Sequence, residues 1–424
     1  MKETEYYLFG ASIEGINRYK ELKERYNIGG FVDNDKNKWG KIITDGKKAV
    51  SIEEFLQKKK DNHIIITSRF SAEISAQLDR LNFENYSFYP CLEHFGDSRH
   101  TDKNLCKEID SCAKIVFKKL HLIEIDKLNI SDYNKRYLSG KTWLDMYKYS
   151  CIMYASLSAN VNITNFIDYG GGTGLLSLLA IECGIKNVYY NDIYDVSVSD
   201  ANEIASALGY KRKAYVEGDI EQVISFCGQT GILFDAVASY DVLEHIYDLE
   251  CFFKKFKKIL NPKYIVIMET GANPYNTDIF NSLTAGHFKI EYLHRDYVYG
   301  HKERDNLAAY FDLRLQIIDQ YITSRNYDLS KPEQIGLSFL TRGMVKEDIE
   351  NALDEYMSSG ALPVSDFFGS FEHNTCDPFT GNWAEHIIDY EKLKIMLNKF
   401  GYEVKISFYD ELRESSPTLQ LILT

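Results

Sequence analysis

What this 424-residue chain lacks narrows its function before any motif is read. No apolar run approaches the roughly 18 residues that span a bilayer. The opening Met-Lys-Glu-Thr-Glu has no signal-peptide pattern. A cytoplasmic protein without a membrane partner is the expectation. No CxxC pair occurs among the eight cysteines, which stand scattered from Cys91 to Cys376. That argues against a disulfide frame or zinc ribbon and for reduced, mostly buried thiols. No HExxH motif is present, and Glu244-His245 alone makes no ligand set, so no metal is expected. Positive charge is in deficit: the formal net charge is −13, which disfavours a nucleic-acid partner because phosphate contacts need a basic surface. The densest basic run, Lys254-Lys-Phe-Lys-Lys258, reads as the solvated face of a helix.

What is present is informative in its order. The length suggests two or three domains with ample core. Phe166-Ile-Asp-Tyr-Gly-Gly-Gly-Thr-Gly174 joins an apolar run ending in an acid to a glycine-dense turn. A helix follows, with Leu175, Leu178, Leu179 and Cys183 on one face. Such glycines let the backbone approach a ligand while the new helix points free N–H groups at it. Asn187-Val-Tyr-Tyr-Asn-Asp192 is a second strand with an acid at its end, 24 residues after Asp168. That is near the spacing of about 20 between a glycine turn and a ribose-reading acid. Tyr215–Asp219, Phe234–Asp241 and Tyr264–Glu269 add three further strand ends, with helical segments between them.

This series resembles the class I S-adenosylmethionine-dependent methyltransferases, particularly those with Val-Leu-Glu-His after strand four. The likeness covers residues 161–290 with a tail at 381–424. It implies a seven-stranded α/β fold, S-adenosyl-L-methionine as cofactor and S-adenosyl-L-homocysteine as product. Asp168 with Gly170, Gly172 and Gly174 matches the family's first motif, and Asp192 the acid that holds the ribose hydroxyls. Asp219 and Ile220 match its adenine-binding pair; Ser239, Tyr240 and Asp241 match the turn lining the methionine end.

Residues 1–95 repeat the pattern on a smaller scale. Tyr6-Tyr-Leu-Phe-Gly10-Ala-Ser12 reads as strand and turn, with Ile13, Ile16 and Tyr19 on a helix face that Gly29-Gly30 ends. Strands at Phe31–Asp33, His63–Thr67 and Tyr86–Tyr89 complete a small Rossmann-like domain. Ser12 replaces the glycine that lets a chain approach a pyrophosphate, which argues against a nicotinamide-dependent reaction here. The motif with Asp33-Asn-Asp35 and Lys38-Trp39-Gly40 resembles front domains of bacterial sugar acetyltransferases and surface-polysaccharide enzymes. In that setting the domain holds a nucleotide or nucleotide-sugar, or serves as scaffold.

Residues 100–160 form a helical linker, with helices at Leu105–Leu122 and Tyr133–Leu157. In the resembled family such helices cover the cofactor, which makes Tyr147 a candidate beside it. Residues 301–380 are a helical insertion, with helices at Asn306–Ile322 and Val345–Met357, closed by Gly360 with Pro363 beyond. It forms a substrate lid or a homodimer contact. A helix at Tyr390–Phe400 and strands Tyr402–Phe408 and Thr418–Leu423 close the fold. The methyltransferase domain is thus 161–300 with 381–424.

Methyl transfer to a hydroxyl needs alignment and proton removal. Histidine is the natural base near neutral pH. His287 and His294 lie in the aromatic stretch Gly286–Gly300, His245 follows the strand-four turn and His386 precedes the closing helix. Glu269 is a further candidate for binding an acceptor. The expected function is methyl transfer to a small polar acceptor, first a hydroxyl of a sugar, nucleotide-sugar or secondary-metabolite precursor. N-methylation, and a non-catalytic sensor or scaffold with two Rossmann-like modules, are the alternatives.

Overall fold

The computed structural model describes residues 4–59, 61–93, 101–296, 306–361, 373–408, 416 and 418–424. Contacts divide the chain into two units, one of residues 1–160, 172–188 and 196–213 and one of 161–171, 189–195 and 214–424.

The first unit begins with β1 (Tyr6–Phe9), α1 (Ile13–Leu22), β2 (Ile28–Val32), β3 (Ile42–Thr44), β4 (Lys47–Val50), α2 (Ile52–Lys59), β5 (His63–Ile66), α3 (Ser71–Arg80) and β6 (Tyr86–Phe88). The sheet order is β3-β4-β2-β1-β5-β6. The antiparallel pair β3–β4 was not legible in the sequence, because Asp45 and Gly46 join strands too short to show alternation. Two further expectations are corrected. Gly29 and Gly30 do not end α1, which stops at Leu22; they lie inside β2, where a Cβ on Gly29 would strike Glu5 and one on Gly30 the Lys48 carbonyl. Close strand approach, not helix termination, calls for them. The buried face of α1 is Gly15, Tyr19 and Leu22, whereas Ile13 is exposed.

The linker is α4 (Lys103–Leu122), α5 (Asp132–Ser139) and α6 (Trp143–Leu157). The single helix expected over Tyr133–Leu157 is two. The Thr142 N–H donates to the Asp145 carboxylate in a capping box, which starts a new helix just after Gly140. Asp200 accepts from Ser131 and Asn134, tying the start of α5 to α8 (Asp195–Ala207). The helix after the glycine turn, α7 (Leu175–Glu182), is buried all round from Leu175 to Ala180 rather than on one face.

The second unit carries β7 (Asn165–Tyr169), β8 (Asn187–Asp192), β9 (Ala214–Glu217), α9 (Ile220–Thr230), β10 (Phe234–Tyr240), α10 (Leu249–Phe256) and β11 (Leu260–Thr270). Then come α11 (Thr277–Tyr292), α12 (Tyr310–Arg325), α13 (Lys331–Leu340), α14 (Lys346–Ser359), α15 (Tyr390–Lys399), β12 (Val404–Phe408) and β13 (Leu419–Leu423). The seven-stranded order is β12-β13-β11-β10-β7-β8-β9, with β13 antiparallel to both neighbours. Strand order reverses between β7 and β10, so the ligand crevice of an open α/β sheet falls at their carboxyl ends. A core of Ile167, Val237, Phe253, Val266, Leu397 and Leu421 fills the sheet's interior.

In the insertion, α12 to α14 pack on Ile317, Ile318, Leu337 and Leu353. Helix α13 was missed, although Ser330 and Glu333 form a capping box with Pro at the first turn. Helix α11 was missed for a clearer reason: its buried residues are His287 and Glu291, so no apolar period marks it. Tyr297–Gly300 of the aromatic stretch, and Pro363, lie outside the described residues. The basic run ends as surface ion pairs, Lys254 with Glu250 and Lys255 with Glu221. No helix among the described residues is long and apolar enough to cross a membrane.

Candidate active site

The carboxyl ends of β7, β8, β9 and β10 carry the residues singled out by sequence. Asp168 and Asp192 are buried, at 1% and 4% exposure. Gly170, Gly172 and Gly174 all take positive φ, at 67°, 53° and 75°. A Cβ on Gly170 would sit 2.5 Å from Val242, and one on Gly171 2.8 Å from the Asp168 carboxylate. Only glycine permits this turn. Its far end is fixed within the first unit by buried Arg212, which donates to the carbonyls of Gly174 and Ala201 and to Ser177. Asp192 accepts the Tyr194 N–H at 3.0 Å. Asp219 is exposed and caps α9, accepting from the Glu221 N–H; Ile220 beside it is buried. Ser239 is 1% exposed, and its Oγ has no partner among the described residues. Tyr240 ends β10. Tyr147 is buried on α6 in the first unit.

Asp241 has φ 53° and accepts the Gly271 N–H at 2.8 Å. Glu385 is the second carboxylate here at positive φ, 58°. Such outliers in side-chained residues cost of order 1–3 kcal/mol and gather at functional sites. Glu385 is solvent-exposed, yet the protein crowded round it raises its carboxyl pKa; His245 opposes that shift and Asp241 adds to it. Glu244, 2% exposed, is raised well above the usual carboxylate range by burial, then by Asp241. Sequence reading passed over Glu385, since a lone acid between Ala384 and His386 carries no motif.

The four histidines separate by geometry. His245 is exposed, and its Nδ1–H donates to the Trp383 carbonyl at 3.1 Å, so in the neutral ring Nε2 is the basic nitrogen. His287 is 1% exposed: Nδ1 accepts the Thr375 N–H at 3.1 Å and Nε2–H donates to the Glu385 carbonyl at 3.0 Å. Both nitrogens are engaged by backbone, and the ring fixes the Glu385 carbonyl. His386 is buried and stacks on Trp383 at 4.3 Å. His294, on the surface, pairs with Asp312. Glu269 is fully buried and accepts from Gln420. The structure therefore gathers Asp241, Glu244, His245 and Glu385, and leaves His294 apart.

Burial pushes His287 down to about 4 and His386 down to about 3. Both lie below the unfolded value near 6.5, so the unfolded chain binds more protons as pH falls. Stability is then complete above pH ~6.5 and lost progressively toward pH 4, by roughly 1.4 kcal/mol per pH unit for each histidine. Urea unfolding at pH 7, 6 and 5 should show this slope, and His386→Phe, which keeps the stack on Trp383, should flatten it. An unchanged slope in that variant contradicts the assignment.

In the front domain, Asp33 directly follows β2 at 8% exposure. Burial alone would raise its carboxyl, but N–H donors from Asp35 and Ala11 and the Lys38 ammonium hold it below the usual range. Trp39 Nε1 donates to the Asp33 carbonyl. The acid in the ribose-reading position is thus engaged by its own chain. Among the described residues no cluster of histidine, cysteine and acid has metal-binding geometry.

Residues 161–312 match the family model of a methyltransferase domain. Residues 4–88 match a separate model, that of a C2185-like N-terminal domain. No curated protein matches the chain. Partial likenesses among solved structures include a SAM-dependent methyltransferase from Agrobacterium tumefaciens: 17% identity, 29% of this chain, 43% of that one, TM-score 0.25. A methyltransferase complexed with SAH has 12% identity over 31% of this chain and 38% of that one, TM-score 0.25. An S-adenosylmethionine-dependent methyltransferase from Clostridium acetobutylicum has 11% identity over 69% and 95%, TM-score 0.37. The chain spans less than half the length of the first two. Residues 161–312, which carry the switch-point glycine turn, are thus similar to a methyltransferase domain. The front region is similar to C2185-like N-terminal domains.

Proposed function

We propose that this protein transfers the methyl group of S-adenosyl-L-methionine to a small polar acceptor, with His245 as general base. The observation that most supports this is the turn from Asp168 through Gly174, whose three positive-φ glycines stand at the switch point of the sheet. The cofactor supplies an electrophilic methyl on a cationic sulfur. Asp192 would hold the ribose hydroxyls, with its carboxylate oriented by the Tyr194 N–H. Ile220 would face the adenine, and Ser239 to Asp241 the methionine end.

The acceptor would lie beside Asp241, Glu385 and His245, where Nε2 takes the proton. Burial and backbone bonding argue against His287 as that base, and a surface ion pair argues against His294. Trp383 and His287 hold His245 and Glu385 in place through backbone carbonyls. The front domain fits a scaffold role, since Asp33 is already engaged.

His245→Ala should cut tritium transfer from methyl-labelled cofactor into pooled polar metabolites by about 10²- to 10⁴-fold. S-adenosylhomocysteine affinity should stay within about twofold. Undiminished transfer removes the base role; wild-type protein that neither transfers label nor binds S-adenosylhomocysteine removes the whole reading.

A further inference from the structure

We propose that Cys112 and Cys183 are a redox-active pair, which closes to a reversible disulfide and clamps α4 to the end of α7. This holds whether or not the methyltransferase reading does.

Both residues belong to the first unit, where α4 and α7 pack on each other. The Cys112 thiol donates to the Glu182 carbonyl, with Sγ 3.3 Å from that oxygen. Cys183 is the next residue and caps α7. Across a trans peptide a carbonyl oxygen stands about 3 Å from the following Cα, which brings Cys112 Sγ within about 6 Å of the Cys183 Cα. The Cys183 side chain covers the remaining gap, and its thiol donates to the Cys112 sulfur.

The other thiols do not share this placement. Cys91, Cys106, Cys151, Cys227 and Cys376 are buried, and Cys251 lies in the second unit. Cys112 and Cys183 are only half-buried, which leaves both within reach of a small oxidant.

The thiolate, not the thiol, attacks a disulfide. The bond from Cys183 lowers the Cys112 pKa, while burial and the carboxylates of Glu182 and Glu108 oppose that shift. Glu182 is itself partly neutralised by the Lys119 ammonium at 3.5 Å and accepts the Tyr210 hydroxyl. The oxidant is a small disulfide such as glutathione disulfide. The Cys112 thiolate bonds to one of its sulfurs, the S–S bond breaks, and one glutathione leaves with the electron pair. Cys183, deprotonated in turn, attacks the Cys112 sulfur of the mixed disulfide and displaces the second glutathione. Two protein thiols are oxidised, and one small disulfide is reduced to two thiols that take up the two protons.

The N-terminal end of α7 is already fixed, since Arg212 donates to the Gly174 carbonyl and to Ser177. The new bond would fix its other end. It also closes a loop of about 70 residues that holds α5, α6 and the glycine turn, which removes freedom from the unfolded chain.

The test is incubation of the full chain with glutathione disulfide, followed by alkylation in denaturant and peptide mass mapping. A Cys112–Cys183 crosslink should form while the other thiols remain open to alkylation, and dithiothreitol should reverse it. The oxidised chain should unfold at a midpoint about 5 °C or more above the reduced one. Cys183→Ser should instead accumulate glutathione on Cys112, because no second thiol displaces it. The wild-type map decides the matter even if this variant fails to fold. No crosslink, a crosslink between other cysteines, or a lasting glutathione adduct on the wild-type pair overturns the proposal. So does a crosslink that leaves the midpoint unchanged, since it would clamp nothing.

Discussion

Asp192→Ala is expected to weaken S-adenosylhomocysteine binding by about a hundredfold or more while leaving the fold intact. Asp192 ends β8, is 4% exposed, and its carboxylate is oriented by the Tyr194 N–H at 3.0 Å. A carboxylate so placed can accept from both hydroxyls of a ribose. Each such charge-assisted bond contributes roughly 1.5–3 kcal/mol, and ~3 kcal/mol for the pair already exceeds a hundredfold. Asp192→Asn keeps one acceptor oxygen and should fall between wild type and Ala. Calorimetric titration measures the affinity, and thermal denaturation of each variant separates lost binding from lost folding. Unchanged affinity in Asp192→Ala would remove this residue from the cofactor site.

Arg314→Met should destabilise the second unit by about 3–5 kcal/mol. Arg314 on α12 and Glu291 on α11 are both fully buried and form a two-pronged ion pair. Arg314 also donates to the Ser338 carbonyl, and Glu291 accepts the Thr375 hydroxyl at 2.6 Å. Removing the guanidinium leaves a carboxylate with no counter-charge in the interior, which costs far more than the pair contributes intact. The double variant Arg314→Met, Glu291→Leu should therefore recover much of the loss. Urea unfolding checks both. A single-variant loss below ~1 kcal/mol would mean that the site is hydrated. The network also reaches the proposed acceptor side: the Thr375 N–H donates to His287, whose Nε2–H donates to the Glu385 carbonyl.

The parts legible from sequence were those where local chemistry and fold agree. The glycines at 170, 172 and 174 announce positive φ, and all three have it. The strands Asn187–Asp192 and Phe234–Tyr240 have short apolar centres, Val188-Tyr189-Tyr190 and Ala236-Val237-Ala238, buried on both faces as parallel strands require. The proposed acceptor side was not legible in this way. Its residues reach one place through tertiary contacts: His245 through the carbonyl of Trp383, and Glu385 through His287 on a helix whose inner face is polar. Histidine is the residue type that sequence favours there, yet burial lowers the pKa of His287 and His386. The acids beside them, Glu244 and Glu385, are marked by no spacing rule. The same limit applied in the front domain. Lys38 and Trp39 were visible as part of a motif, but not that they close on Asp33.

The central claim is that the switch-point turn holds S-adenosylmethionine. Calorimetric titration of the wild-type chain with S-adenosylhomocysteine tests it most directly. Saturable one-to-one binding, with NAD giving no heat of binding, is the predicted result. No binding of S-adenosylhomocysteine by folded protein, or binding unaffected by Asp192→Ala, would contradict it.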